Sequence, residues 1–269
     1  MTTNYETIRF EMDGRTARVT LARPAVRNAF NEVLIAELLR VLDEIENLEV
    51  DGETARVLVL TGEGTAFCAG ADLGWMGKMR DYSFTENLAD SLELAKLMRR
   101  IYEYPLPTIA MVNGATIGGG NGLVAACDIA VAADTAVFSL SEVKIGLVPA
   151  CIGPYVIKRI GERAARELFL TGERIDAARA RAEGLVNEVA APADLAERVN
   201  RYVKLLLSSG PAALGVSKEL IRNVPGMDLS EAGPYTAKMI AKLRISDEAQ
   251  EGMAAFFEKR RPRWADPNK

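Results

Sequence analysis

The 269-residue sequence contains no histidine. That absence removes the Ser-His-Asp triad, the Cys-His pair, histidine metal ligation and imidazole acid–base chemistry together. Cysteine is scarce: Cys68, Cys127 and Cys151 are too scattered for a CxxC zinc or redox motif, and their odd number suits a reducing compartment. No grouping has metal-ligand spacing, so neither a metal nor a separate cofactor is expected. No apolar run reaches the roughly 18 residues of a membrane span. The first ten residues carry Glu6 and Arg9 and lack a secretory core, so no membrane partner and a cytoplasmic location are expected. Neither charge sign dominates: 37 acids against 33 bases give a net charge of −4 and no electrostatic ground for a nucleic-acid partner. Any acid–base chemistry falls to Asp, Glu, Lys, Tyr or Cys.

What is present is globular. Hydrophobic residues make up 49% and charged residues 26%, enough for one large domain or two small ones with a substantial core. Ile8–Glu11 and Ala17–Leu21 alternate around Asp13-Gly14, a hairpin signal. Leu34, Leu38, Val41, Leu42 and Ile45 have helical spacing, with Asn31 or Asn28 as the cap. Val57–Thr61 and Thr108–Val112 read as strands buried on both faces. Between them a helix is predicted from about Thr85 to Tyr102, with Leu88, Leu92, Ala95, Met98 and Ile101 on one side and Pro105 and Pro107 as its stop. Beyond Leu195 only helices are predicted: 195–208, 212–223, 230–244 and 247–259, the last opened by an Asp247/Gln250 capping box. The pattern is α/β, divided into a core at 1–195 and a helical assembly region at 196–269.

Three stretches suit chemistry. Gly118-Gly119-Gly120 precedes a helical run and admits backbone shapes and close approaches closed to other residues. A dinucleotide fingerprint fails there because Leu123 stands where glycine or alanine is needed, and Gly62-x-Gly64 fails likewise at Phe67. Tight helix–strand packing is the other reading of the triplet. Phe67-Cys68-Ala69-Gly70-Ala71-Asp72-Leu73 is a second small-residue turn that follows a strand. Two such turns can aim two backbone N–H groups at one oxygen, and removing one such donor typically costs on the order of 10²–10³ in rate. Glu142, set among apolar residues before Gly146 and Pro149, reads either as a tuned acid–base or as the ion-pair partner of Lys144. Asp128 reads as a buried hydrogen-bonding residue.

In this order and spacing the stretches resemble the crotonase (enoyl-CoA hydratase/isomerase) superfamily. The likeness spans nearly the whole chain: Arg23-Pro24 with Arg27-Asn28-Ala29-Phe30, Ala69-Gly70-Ala71-Asp72, Asn113-Gly114 to Gly120, Cys127-Asp128, the Glu142 segment, Ala182 to Val186, and Glu251-Gly252-Met253 through Lys259-Arg260. The resemblance implies a spiral of repeated ββα units with a helical C-terminal trimerisation region. It also implies an acyl-CoA thioester partner and a homotrimer or hexamer. By similarity, the N–H groups of Ala71 and Gly119 bind the thioester oxygen and Glu142 is the acid–base. Arg27, Ala29, Ala69, Asp72 and Leu73 match CoA-holding segments. Phe256 and Lys259 match a tail that touches a neighbour's CoA. Trp75, Met76, Gly122, Cys151 and Tyr155 are candidates for the acyl end, with Tyr155 also conceivable as a proton donor and Trp75 and Met76 equally readable as core.

One departure matters. The resemblance leads us to expect a further glutamate two residues past the triplet, but the sequence has Gly122. Three readings remain. Hydration of a branched or carboxylated 2-enoyl-CoA by one glutamate agrees with the local wording, which is similar to bacterial methylglutaconyl-CoA and isohexenylglutaconyl-CoA hydratases. The stretches are Ala71 to Met76, Tyr82 to Asp90, Gly122 to Asp128, Leu140 to Lys144 and Pro149 to Tyr155. A Δ3/Δ2-enoyl-CoA isomerase needs only one acid. A non-catalytic CoA- or RNA-binding scaffold finds no support in the acidic net charge. Restoring Gly122→Glu is expected to favour simple hydration.

Overall fold

The computed structural model describes residues 4–50 and 52–265. The hairpin opens the chain as β1 (Ile8–Asp13) and β2 (Thr16–Leu21), joined through Gly14 at φ +55°. Then come α1 (Glu32–Asn47), the small ribbon β3 (Glu49–Val50) and β4 (Glu53–Thr54), β5 (Val57–Gly62), β6 (Ala66–Cys68), α2 (Leu73–Met79) and α3 (Phe84–Tyr102). They are followed by β7 (Thr108–Val112), β8 (Ala115–Ile117), α4 (Gly119–Ala126), β9 (Ile129–Ala133), β10 (Val137–Ser139), α5 (Gly153–Thr171), β11 (Arg174–Asp176), α6 (Ala177–Ala182) and β12 (Glu188–Ala190). Four helices close the chain: α7 (Leu195–Leu207), α8 (Pro211–Asn223), α9 (Leu229–Arg244) and α10 (Asp247–Phe257).

The strands sort into two main sheets. The larger has the order β1-β2-β5-β7-β9-β12, parallel except for the opening hairpin. The smaller has the order β11-β10-β8-β6, with β6, β8 and β10 mutually parallel. Three times the chain lays one strand in the large sheet, the next in the small sheet, and then a helix. Those passes are β5-β6 with α2 and α3, β7-β8 with α4, and β9-β10 with α5, which is the expected ββα repeat. Val57, Leu58, Val59 and Leu60 of β5 and Ala130 to Ala133 of β9 are all buried, as parallel strands covered on both faces require.

Local signals explain most boundaries. Asn31, rather than Asn28, caps α1 by accepting the Leu34 N–H at 2.9 Å. Asn28 is instead fully buried in a left-handed turn, donating to the carbonyls of Glu63 and Ala66. Leu34, Leu38, Val41, Leu42 and Ile45 are all buried, each stabilising the fold by roughly 1.5–3 kcal/mol. A Ser83–Glu86 capping box starts α3. Its stripe is buried only toward the C-terminal end, at Leu97, Met98 and Ile101, while Leu88 and Leu92 are exposed. Ser246, not Asp247, caps α10 through the Ala249 N–H, leaving Asp247 in the first turn, where its charge suits the helix dipole. Asp128 is exposed rather than buried, yet it still accepts the Thr108 N–H and hydroxyl at 2.7 and 2.9 Å.

By compactness the chain forms two units. One holds residues up to 104 and 108–200, the other 105–107 and 201 onward, so the division falls inside α7. Within the second unit, Glu248 caps α8 through the Ala212 and Ala213 N–H groups. Glu251 binds Arg260 and Arg263, which holds its carboxyl at about 2. No helix among the described residues is long and apolar enough to cross a membrane.

Candidate active site

The smaller sheet creates the site. β6, β8 and β10 run parallel and adjacent, with Cys68 opposite Thr116 and Ser139 opposite Ile117. Neighbouring strands lie about 4.8 Å apart, so whatever follows their C-terminal ends is brought to one edge, where α/β folds place ligands. Three turns follow: Ala69-Gly70-Ala71 after β6, Gly118-Gly119 after β8, and Leu140-Ser141-Glu142 after β10. Each motif thus leaves a three-residue strand of the small sheet, not the long strands ending at Thr61 and Val112.

The turns touch. Gly118 has φ +51° and ψ −122°, a conformation open essentially to glycine alone. A Cβ there would meet Glu142 Oε1 at 3.1 Å and Gly70 Cα at 3.8 Å. The Ala69-Gly70-Ala71 turn is tied to the segment before α1. Ala69 N–H donates to Arg27 O at 3.0 Å, Phe30 N–H to Gly70 O at 2.7 Å and Asp72 N–H to Phe30 O at 2.8 Å. In this parallel bridge the Ala71 N–H points away from Phe30. Gly119 opens α4, and a first-turn N–H has no acceptor inside its own helix. Ala71 is exposed and Gly119 half-buried.

Glu142 starts a one-turn 3-10 helix, Glu142–Ile145, which Gly146 closes at φ +77°. Its Oε2 is buried with no hydrogen-bond partner, and among the described residues it forms no ion pair, with Lys144 or any other base. Burial therefore pushes its carboxyl above the usual glutamate value. A partly buried carboxyl whose pKa is raised by burial suits proton transfer next to a carbonyl whose oxygen becomes negative.

Other candidate residues divide. Asp72 accepts Gly74 N–H at 2.8 Å and Trp75 N–H at 3.2 Å, capping α2, and its second oxygen takes Arg23 at 2.9 Å. Arg23 also donates to the Ala29 carbonyl. The Asp72 carboxylate is thus engaged in holding the Ala71 turn, and its backbone is engaged as well, the N–H by Phe30 O and the carbonyl by the Met76 N–H at 2.8 Å. Ala29 is buried, whereas Arg27 and Leu73 are exposed at the rim. Phe256 and Lys259 belong to the second unit and are exposed there.

Of the acyl-end candidates, Trp75 is buried and donates its indole N–H to Asp90 at 3.1 Å. Met76 is half-buried. Cys151 donates its thiol to Ser91 O at 3.5 Å; burial first, then the Asp90 charge, push that thiol up. Tyr155 stands edge-on to Tyr102 at 5.3 Å, its phenol pushed up by burial and by Glu103. Gly122 does not border open space. A Cβ there would collide with Ile152 Cγ2 and lie 3.0 Å from Met98 Sδ, so those two apolar side chains fill the place of the absent acid. Arg23, Asp90, Met98, Asn121 and Ile152 were not legible as neighbours of the site, because each reads as ordinary charge, cap or core.

The family model described as enoyl-CoA hydratase/isomerase matches residues 11–267. The chain belongs to the enoyl-CoA hydratase/isomerase family. A crystal structure of an enoyl-CoA hydratase from Shewanella pealeana is 40% identical with a TM-score of 0.92, covering 96% of each chain. One of an enoyl-CoA hydratase/isomerase from Marinobacter aquaeolei is 33% identical with a TM-score of 0.90, covering 97% of this chain and 99% of that one. The short-chain-enoyl-CoA hydratase of Clostridium acetobutylicum is 32% identical over 253 residues, 93% of this chain and 94% of its own. The chain is an enzyme of this family, and the mixed α/β architecture is the family's fold.

Two outcomes follow for this enoyl-CoA hydratase/isomerase family member. Gly122→Glu alone should lower stability by about 1–3 kcal/mol or more through overpacking, and adding Ile152→Ala should recover much of that loss. A single variant that melts with the native chain would show the position to be open. Because the folded state raises the Glu142 pKa, protonation favours the folded form. The carboxylate then costs stability above its folded pKa, and that cost fades as pH falls toward the ordinary 4.5. Glu142→Gln should therefore melt higher than the native chain at pH 8, with the gap closing in acid; a gap independent of pH would contradict the desolvated carboxylate.

Proposed function

We propose that the protein is a hydro-lyase that adds water to, or removes it from, a branched or carboxylated 2-enoyl-CoA with Glu142 as its one acid–base. The observation that supports this reading is the meeting of two turns with the Glu142 carboxyl: a Cβ on Gly118 would lie 3.1 Å from Glu142 Oε1 and 3.8 Å from Gly70 Cα, and Glu142 Oε2 is buried without a hydrogen-bond partner among the described residues. The thioester oxygen accepts both N–H groups, so negative charge arriving there is stabilised without reorganisation. Glu142 carboxylate takes a proton from water as the oxygen bonds to the β-carbon, and the C=C pair moves to the thioester as an enolate. The carboxylic acid so formed returns the proton to the α-carbon. One water is consumed and Glu142 ends as it began. Each such proton transfer contributes typically 10²–10⁴-fold. The branched or carboxylated acyl group rests on the likeness of the Ala71–Met76 and Tyr82–Asp90 wording to glutaconyl-type hydratases. A homotrimer or hexamer is part of the same proposal.

A second reading has its own support. With Ile152 and Met98 filling the space beside Gly122, one acid serves the whole site, and one acid suffices to move a proton between the α- and γ-carbons of an allylic thioester. That is the Δ3/Δ2-enoyl-CoA isomerase reaction, using the same amides.

Incubation with crotonyl-CoA, 3-methylglutaconyl-CoA and a 3-enoyl-CoA separates the readings by mass. Gain of one water on a 2-enoyl ester is the expected result; a shifted double bond at constant mass points to the isomerase, and unchanged esters that still bind point to a scaffold. Glu142→Gln should cut turnover by at least tenfold while ester binding stays within about threefold of native. Retention of more than about a tenth of the native rate would remove Glu142 from the acid–base role.

A further inference from the structure

Asn121 lies between the triplet and Gly122, and its side chain is fully buried. Its amide Nδ2 donates toward three carbonyls: Ser139 O at 2.8 Å, Gly118 O at 3.2 Å and Thr116 O at 3.2 Å. Its Oδ1 has no partner among the described residues. The orientation is fixed by chemistry, since turning the amide over would set Oδ1 against three carbonyl oxygens. The partners matter more than their number. Thr116 lies in β8, Gly118 is the turn that presents the Gly119 amide, and Ser139 ends β10, three residues before Glu142. Ser139 O also accepts the Gly118 N–H at 2.8 Å, so it is bound twice, both times from the glycine turn.

We infer that Asn121 is a positioning residue that locks the strand delivering Glu142 to the turn presenting the Gly119 amide, and so sets the spacing between acid and charge trap. The inference rests on the one-glutamate reading and goes beyond it, because Asn121 touches neither the reacting atoms nor the Glu142 carboxyl. Its amide instead joins the β8 and β10 exits behind the site. Only a side chain with two hydrogens on one nitrogen reaches several carbonyls at once; alanine reaches none, and a protonated aspartate at most one. Buried polar groups joined in this way rigidify what they connect. Misplacement of a catalytic group by about 1 Å can cost on the order of 10²-fold in rate.

The test uses Asn121→Ala and the near-isosteric Asn121→Asp, each alone and combined with Glu142→Gln. With the esters turned over by the native enzyme, Asn121→Ala should lose about 10–100-fold in kcat with KM within threefold, and Asn121→Asp should fall between it and native. A readout independent of turnover accompanies this. The melting gap between each chain and its E142Q counterpart, followed across pH, reports the Glu142 pKa. In the Asn121→Ala background that gap should shrink at pH 8, because a freed strand lets the carboxyl turn toward water. An unchanged gap across pH, or equal losses in kcat and ester affinity, would overturn the inference. An altered gap in a protein inactive on every ester would leave the positioning role standing and defeat the hydratase reading alone.

Discussion

The site depends on one arrangement of backbone: three strands of three residues each, β6, β8 and β10, hydrogen-bonded side by side in parallel. None of the three turns they release contains a complete site. In the proposed site Ala71 contributes an amide, Gly119 a second, and Glu142 a carboxyl, and more than seventy positions separate the first from the last. Parallel pairing turns that sequence separation into contact, because equivalent ends of adjacent parallel strands exit in the same direction. The ββα repeat is what allows it. Each pass anchors a long buried strand in the larger sheet before the chain commits a short one to the smaller sheet, so the rigid framework and the reactive edge are built from different residues.

Such an edge is held together at a cost in local stability. Gly118 adopts a conformation that side chains disfavour, Glu142 Oε2 is buried unpaired, and Asn121 Oδ1 is likewise left without a partner. The last two run against the rule that buried polar groups find partners, and all three features lie within one small region. The surrounding structure opposes that tension with bonds that are individually ordinary. Arg23 and Asp72 fasten the Ala71 turn to α2, Phe30 bridges it to the segment before α1, and Ser139 O accepts twice from the glycine turn. Concentrated strain beside dense fastening is the expected physical signature of a preorganised site.

Much of this was legible in the sequence, and the exceptions have physical causes. Long periodic patterns are visible: α1, the buried strands β5 and β7, and the four C-terminal helices fall within a few residues of their expected places. The small-residue turns and Glu142 are recognisable because glycine and a carboxylate among apolar neighbours each have a restricted set of uses. Three-residue strands carry no period to detect, so β6, β8 and β10 were invisible, and the motifs were attached to the strands before them. Leu88 and Leu92 have the spacing of a buried stripe, but periodicity states which residues share a face, not whether anything covers that face. Asn121, flanked by glycines, reads as a turn former; only the fold reveals three carbonyls around its amide.

Gly122 shows how far a single missing residue can be interpreted. From the sequence it is the place of an expected acid, where Gly122→Glu is expected to favour simple hydration without fully restoring it. In the folded chain the same position is a packing contact, with Ile152 and Met98 pressed against the helix where a longer side chain would have to lie. A lost acid would leave a polar, water-accessible gap; this site has apolar side chains in close contact instead. The packing suits the proposed chemistry with one proton carrier, in which water addition takes the proton from water, bonds the oxygen to the β-carbon and protonates the α-carbon, whereas double-bond migration moves a proton between the α- and γ-carbons. In the proposed site, what then separates the two reactions is whether water or the substrate's own γ-carbon stands beside Glu142, a choice that falls to side chains lining the acyl end rather than to any further acid on α4.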